Sequence, residues 1–133
     1  MPEPAPSRIL RFTDYTWTGV RPAAYKKPGE DWNSITRHPL VGADEGTPFH
    51  VRYFEIEPGG HSSFERHEHQ HAVIVIRGRG AVRLGEGWED VGFGDVVYVT
   101  GEDPHQFRAS GDEPFGFICV VAAERDRPIP LED

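Results

Sequence analysis

Residues 65–71 read Glu-Arg-His-Glu-His-Gln-His, so His67, His69 and His71 stand at alternate positions with Glu65 in the same phase. Imidazoles and carboxylates are borderline ligands, and together they suit one divalent transition metal: iron, manganese, nickel, copper or zinc. The chain has a single cysteine, Cys119, which argues against a thiolate-built structural zinc cage. In an extended segment all four groups point to one face. A straight strand would spread them over about 20 Å at ~3.3 Å per residue, too far for one ion. Either the segment bends, or only some of these groups bind. If it bends, Glu65 and His67 return beside His71, and His105, which follows Gly-Glu-Asp-Pro, has to arrive from another strand. Imidazole must be neutral to bind, so affinity is expected to fall below about pH 6. The bland alternative is an adventitious histidine cluster that holds metal weakly. The cluster precedes a buried strand and does not sit in a tail, which favours a specific site. His38, His50 and His61 read as ordinary surface histidines.

The elements that would position these groups are legible from Phe49 onward. "FHVRYFEIEPGG" alternates imperfectly and stops at Pro-Gly-Gly, a turn. "HAVIVIRG" and "DVVYVT" are β-branched runs, Gly85-Glu86-Gly87 marks a hairpin, and "QFRAS" and "FGFICVV" complete the set. The chain holds about eight strands at intervals of roughly 8–12 residues and no convincing helix, which is an all-β sandwich or barrel. Val73, Val75, Val97 and Val99 have core spacing. Tyr53, Phe64, Trp88, Tyr98, Phe107, Phe115 and Phe117 are expected to fill the barrel or line its pocket. Glu68 has the opposite parity to the histidines and is expected to be exposed.

Residues 1–48 are less regular. "RILRFTDYTW" and "SITRHPLVG" read as short strands, and "RPAAYKKPGEDWN" as a loop broken by Pro22, Pro28 and Gly29. The division is an N-terminal arm (1–48) packing on the barrel or on a partner subunit, a barrel (49–123) and a C-terminal tail (124–133). The arm suggests a homodimer. The tail's two prolines exclude a central strand.

The 133 residues include 22 acidic and 14 basic ones, a formal charge of −8. That balance argues against nucleic acid and against an anionic membrane surface as partners. No apolar run approaches the roughly 18 residues of a membrane-spanning helix. "MPEPAPSRIL" has no basic or apolar leader region, so cytoplasmic residence is expected. Cys119, in an apolar run, reads as a small buried residue or else a reactive thiol. Arg52 and Arg83 read as surface charge or as anchors for an anionic substrate inside the barrel.

"PGGHSSFERHEHQHAVIVIRGRG", followed by "GFGDVVYVTGEDPHQF", resembles the two sequence motifs of the cupins, over about residues 49–121. The resemblance implies a double-stranded β-helix (jelly-roll) cupin barrel with a metal inside, open at one mouth. Aligned from Gly78, the first motif puts His71 in the slot usually held by Glu, His67 in the second His slot and Glu65 in the first. Gly94 and His105 match the second motif, with Thr100 in its Pro slot and Glu102 in its Gly slot. The resemblance therefore implies the ligands Glu65, His67, His71 and His105. His69 falls between slots, either as an alternative ligand or as a group beside the entrance. The resemblance also implies dioxygenase, isomerase, decarboxylase or lyase chemistry on a small oxygenated molecule, with an oxidoreductase among the candidates. The alternative is a non-catalytic barrel that binds or senses a small ligand. No Ser-His-Asp set or carboxylate pair is evident, which argues against acyl transfer and glycoside hydrolysis.

Overall fold

The computed structural model describes residues 5–24, 33–125 and 129–131. Its strands are β1 (Phe12–Thr13), β2 (Thr16–Trp17), β3 (Ala23–Ala24), β4 (Asn33–Val41), β5 (Phe49–His61), β6 (Glu65–Arg66) and β7 (His71–Arg77). They continue with β8 (Gly80–Leu84), β9 (Gly87–Val91), β10 (Val96–Val99), β11 (His105–Ala109), β12 (Phe115–Ala122) and β13 (Ile129–Pro130). A single 3-10 turn, Ala43–Glu45, is the sole helical element among the described residues.

Every strand pairing is antiparallel. The main sheet runs β10-β7-β12-β5-β11-β6-β13, with β4 added on β5 and β8-β9 added on β11. The long β5 joins the two halves of this curled sheet. Its first part lies between β4 and β12, while its last residue, His61, pairs with Arg108 of β11. The halves close on one apolar core. Val73 and Val75 come from β7, Phe115, Phe117 and Cys119 from β12, Val82 from β8 and Phe107 from β11. This is the expected jelly-roll barrel. Val97 and Val99 belong to the same core.

Several local expectations need correction. Pro58-Gly59-Gly60 does not end its strand. β5 continues to His61, with Gly59 at φ 82° absorbing the bend where the sheet curls. "RILRFTDYTW" is a small hairpin and not one strand, because Asp14 and Tyr15 both take positive φ, as a two-residue turn requires. β4 pairs along β5 and joins the barrel's own sheet. Pro39 sits beside a register shift there, where its missing N–H costs least. The loop expected around Pro28 and Gly29 lies outside the described residues.

The arm also decides which aromatic residues are inside. Tyr53 is fully buried, but on the outer face of β5, where Trp17 lies 5.0 Å and His38 5.3 Å from its ring centre. His38 is therefore no surface histidine; it is 5% exposed. Trp88 and Tyr98, expected in the barrel, are on its surface, Tyr98 at 57% exposure. Each sits on an outward strand face that no further strand covers among the described residues; the Arg108 guanidinium lies over the Trp88 ring, and Gln70 donates to the Tyr98 hydroxyl.

Glu102, in the slot the resemblance gives to glycine, has φ 71°. Its N–H donates to the His67 carbonyl at 2.7 Å, so the conformation holds the histidine loop in place. A left-handed non-glycine residue costs about 1–2 kcal/mol, and its exposed ion pair with Arg66 returns little. Glu102→Gly should therefore stabilise the fold by up to about 1 kcal/mol once the freer unfolded chain is counted. Thermal melts should show a higher midpoint, and a lower one would mean that the Arg66 pair outweighs the strain.

Candidate metal centre

The expected bend falls between β6 and β7, at residues 67–70. Two contacts fix it. The Glu102 N–H holds the His67 carbonyl, and Gly101 packs so closely that a Cβ there would lie 2.4 Å from the Glu68 carbonyl oxygen. His67 thus sits in a turn, His71 opens β7 opposite Val99, and His105 opens β11 opposite Glu65 and Leu84.

These three elements bring ligand atoms of His67, His71 and His105 within 4.8 Å of one another. His67 and His105 are each 3% exposed. The Nδ1–H of His67 donates to the His69 carbonyl at 2.8 Å, and that of His105 to the Asp103 carbonyl at 2.9 Å. A carbonyl only accepts, so in both rings the proton sits on Nδ1 and Nε2 presents its lone pair. The two Nε2 atoms are 3.1 Å apart. Two lone pairs at that distance repel unless a cation or proton lies between them. Imidazoles bound at ~2.0–2.1 Å and at right angles would stand about 3 Å apart. His71 fits the same reading: its Nε2 is buried without a hydrogen-bond partner, while its Nδ1 faces Cys119 Sγ at 3.3 Å. Three nitrogens, two of them oriented by main-chain carbonyls, could hold a divalent metal.

The other residues singled out in the sequence are placed differently. Glu65 is 7% exposed and lines the same cavity, but lies outside the three-histidine cluster, and its Oε2 accepts from Ser63 Oγ at 2.7 Å. The His69 ring stacks on His67 with centres 3.7 Å apart and is not in the cluster; its carbonyl is what orients His67. Glu68 is exposed, as expected.

Burial dominates the electrostatics. It lowers the His67 pKa to about 4, with His105 and His69 adding to the effect. It lowers that of His71 to about 2, with His105 and His67 adding. At these two histidines protons would compete with a metal only well below the pH 6 expected from free imidazole. The sign for stability follows from linkage. The folded histidines stay neutral while the unfolded chain, near the ordinary 6.5, takes up protons, so the stability they supply is complete above that value. It is lost as pH falls from about 6.5 towards about 4 for His67, on the order of 3 kcal/mol at ~1.4 kcal/mol per unit. Denaturant midpoints of the chelator-treated protein should fall steadily between pH 7 and pH 4.5; a flat profile would contradict buried neutral imidazoles.

The histidines stand at one side of a cavity of about 260 Å³. Phe54, Phe107 and Phe117 form an aromatic wall, with Phe107 and Phe117 centred 4.9 Å apart. Arg37 of β4, Arg52 of β5 and Arg125, just beyond β12, line the cavity too. Cys119 lies between the two groups, 3.3 Å from His71 Nδ1 and 3.5 Å from Arg52 Nη2, and burial pushes its thiol pKa up. Of the two arginines considered as anchors, Arg52 faces this cavity. Arg83 lies over the Phe64 ring, 3.9 Å from its centre, and is not on the cavity wall. Arg37 and Arg125 were not foreseen. Arg37 shares the parity of Ile35, a core residue, and that was the available signal; Arg125 follows the last long strand and has none.

A barrel of this topology, with histidines gathered from the two motif loops at one end of its cavity, is a cupin site. Residues 52–121 match the Cupin domain family, and the chain belongs to it. It is 44% identical, over 90% of its length and 78% of the relative's, to 1-methylthio-D-xylulose 5-phosphate methylsulfurylase of Rhodospirillum rubrum. Among solved structures, a cupin-2 domain protein from the same organism superposes with TM-score 0.82 at 40% identity, covering 95% of this chain and 84% of that one. A cupin 2 conserved barrel domain protein from Rhodopseudomonas palustris gives 0.78 at 43% identity, covering 86% and 79%.

Proposed function

We propose that the protein is a metal-dependent enzyme acting on a phosphorylated methylthio ketose, at the methylthio group. The observation that carries this reading is the buried triad of lone-pair-bearing imidazoles, in a chain 44% identical to a methylsulfurylase of such a substrate. A divalent metal, when bound, would supply Lewis-acid polarisation of a carbonyl oxygen. His67, His71 and His105 would hold it. Glu65, which lines the same cavity, would be the carboxylate to join them, as the register of the first motif has it. Phe54, Phe107 and Phe117 offer the apolar surface that a thioether prefers against aromatic rings, and they keep bulk water from that side of the cavity. Cys119, with its pKa raised, is a neutral neighbour of His71 under ordinary conditions.

The test is incubation of the metal-loaded protein with 1-methylthio-D-xylulose 5-phosphate, with and without an added thiol, followed by mass spectrometry. Loss of the methylthio group is expected. Recovery of unchanged substrate from protein shown to be saturated with it would overturn the enzyme reading and leave a ligand-binding barrel.

A further inference from the structure

Arg37, Arg52 and Arg125 form an unusual group for a chain of net charge −8. The three half-buried guanidinium groups share one cavity wall, and no carboxylate pairs with any of them among the described residues. Arg125 Nη1 donates to the Ala122 carbonyl at 2.9 Å and faces His50 Nδ1 at 3.1 Å. Among the described residues, the Arg52 guanidinium makes the long contact to Cys119 and lies over the Phe54 ring. The Nε atoms of Arg37 and Arg52 are buried without hydrogen-bond partners. Burial and then repulsion from Arg52 act against the charges of both Arg37 and Arg125. The chain has 22 acidic residues, yet Glu65 is the one carboxylate on this cavity wall among the described residues, and it stands with the histidines. Unpaired buried charge of one sign is costly unless a ligand supplies the other. Planar guanidinium forks match the oxygens of a phosphate.

We propose that Arg37, Arg52 and Arg125 seat the phosphate group of the substrate, as a dianionic phosphomonoester. This deepens the enzyme reading above and rests on it for the identity of the ligand. The Cys119 thiol touches both Arg52 and His71, and all three line one cavity, so one small molecule can reach both ends of it. The phosphate end would then set which carbon of the ketose meets the histidines.

Calorimetric titration of inorganic phosphate into the metal-loaded protein at low salt tests the proposal. The wild type should bind phosphate. Arg37→Gln and Arg125→Gln should each weaken binding at least tenfold, with metal content unchanged. Without phosphate, Arg37→Gln should not melt below the wild type, because it removes a repelled charge whose Nε has no partner, whereas Arg125→Gln also loses the bond to the Ala122 carbonyl. Added phosphate should raise the wild-type midpoint more than that of either variant. Arg37→Lys, which keeps the charge and loses the fork, should fall between. Equal phosphate affinity in wild type and variants, or none in the wild type, would overturn the proposal. Arginine-dependent phosphate binding without turnover of the methylthio ketose would remove the enzyme reading and leave this site standing. Turnover with an unchanged KM in Arg37→Gln would do the reverse.

Discussion

His105→Ala is expected to purify without stoichiometric metal and to lose activity on the proposed substrate altogether. Loss of a group that merely orients a ligand costs about 10–100-fold in metal affinity, and loss of one of three nitrogen ligands should exceed that. The fold should survive. The substitution removes one imidazole and its hydrogen bond to the Asp103 carbonyl, a net loss of roughly 1 kcal/mol, and it also relieves the contact between His67 Nε2 and His105 Nε2. Metal analysis of untagged protein, with circular dichroism as the check on folding, decides the matter. Full occupancy in the folded variant would remove His105 from the ligand set. His69→Ala is the informative comparison. The His69 ring stacks on His67 outside the cluster, whereas the group that orients His67 is the main-chain carbonyl, which alanine retains. That variant should keep its metal.

The contrast between His69 and His105 shows what was legible in the sequence. Four residues of the stretch 65–71 share a parity, and parity alone could not rank them. The register from Gly78 set His67 and His71 apart from His69, as the cluster does, but it also gave a ligand slot to Glu65, which lies outside the cluster. Gly78 itself is fixed by sterics, with φ 67° and a Cβ there 2.3 Å from the Pro114 carbonyl oxygen. A position that only glycine can fill is a reliable origin for counting. The β-branched runs were legible because a run such as Val96–Val99, with Val97 and Val99 buried and Val96 and Tyr98 exposed, fits a strand with one buried face. Faces were harder. Tyr53 and Phe54 are adjacent and both buried, which no single face of a strand allows. The explanation lies outside the strand, in Trp17 and His38, which cover the outer side. Trp88 and Tyr98 fail in the opposite sense, because among the described residues no strand packs over their side, where the contacts are single polar side chains, Arg108 and Gln70. Arg37 and Arg125 acquire meaning only when β4 and the end of β12 meet at the cavity, and no local pattern announces such a meeting.

The largest effect on stability is expected at the same covered outer face. Gly116 pairs with both Glu55 and Arg77 across its two neighbouring strands. An added Cβ would lie 2.0 Å from the Tyr53 hydroxyl oxygen and 2.6 Å from the ring carbon bearing it. The ring cannot step aside: Tyr53 has no exposed surface, Tyr15 stacks on it, and Trp17 and His38 pack against it. Its hydroxyl donates to Glu55 Oε1 at 3.0 Å, the same oxygen that accepts from Arg77 Nη1 at 2.8 Å. Gly116→Ala must therefore overpack this site, at about 1–3 kcal/mol, and displace a hydrogen bond to a charged group, at about 1.5–3 kcal/mol. A total near 4 kcal/mol should lower the thermal midpoint by roughly 10–20 °C for a domain of this size. Tyr53→Phe removes the atom in closest conflict, so the double variant should lose clearly less than the sum of the single losses. Strict additivity would show that the glycine is not held by the tyrosine. Metal occupancy should be unchanged in every variant that folds, because Gly116 and Tyr53 meet on the outer face of the sheet and the histidines gather on its inner one.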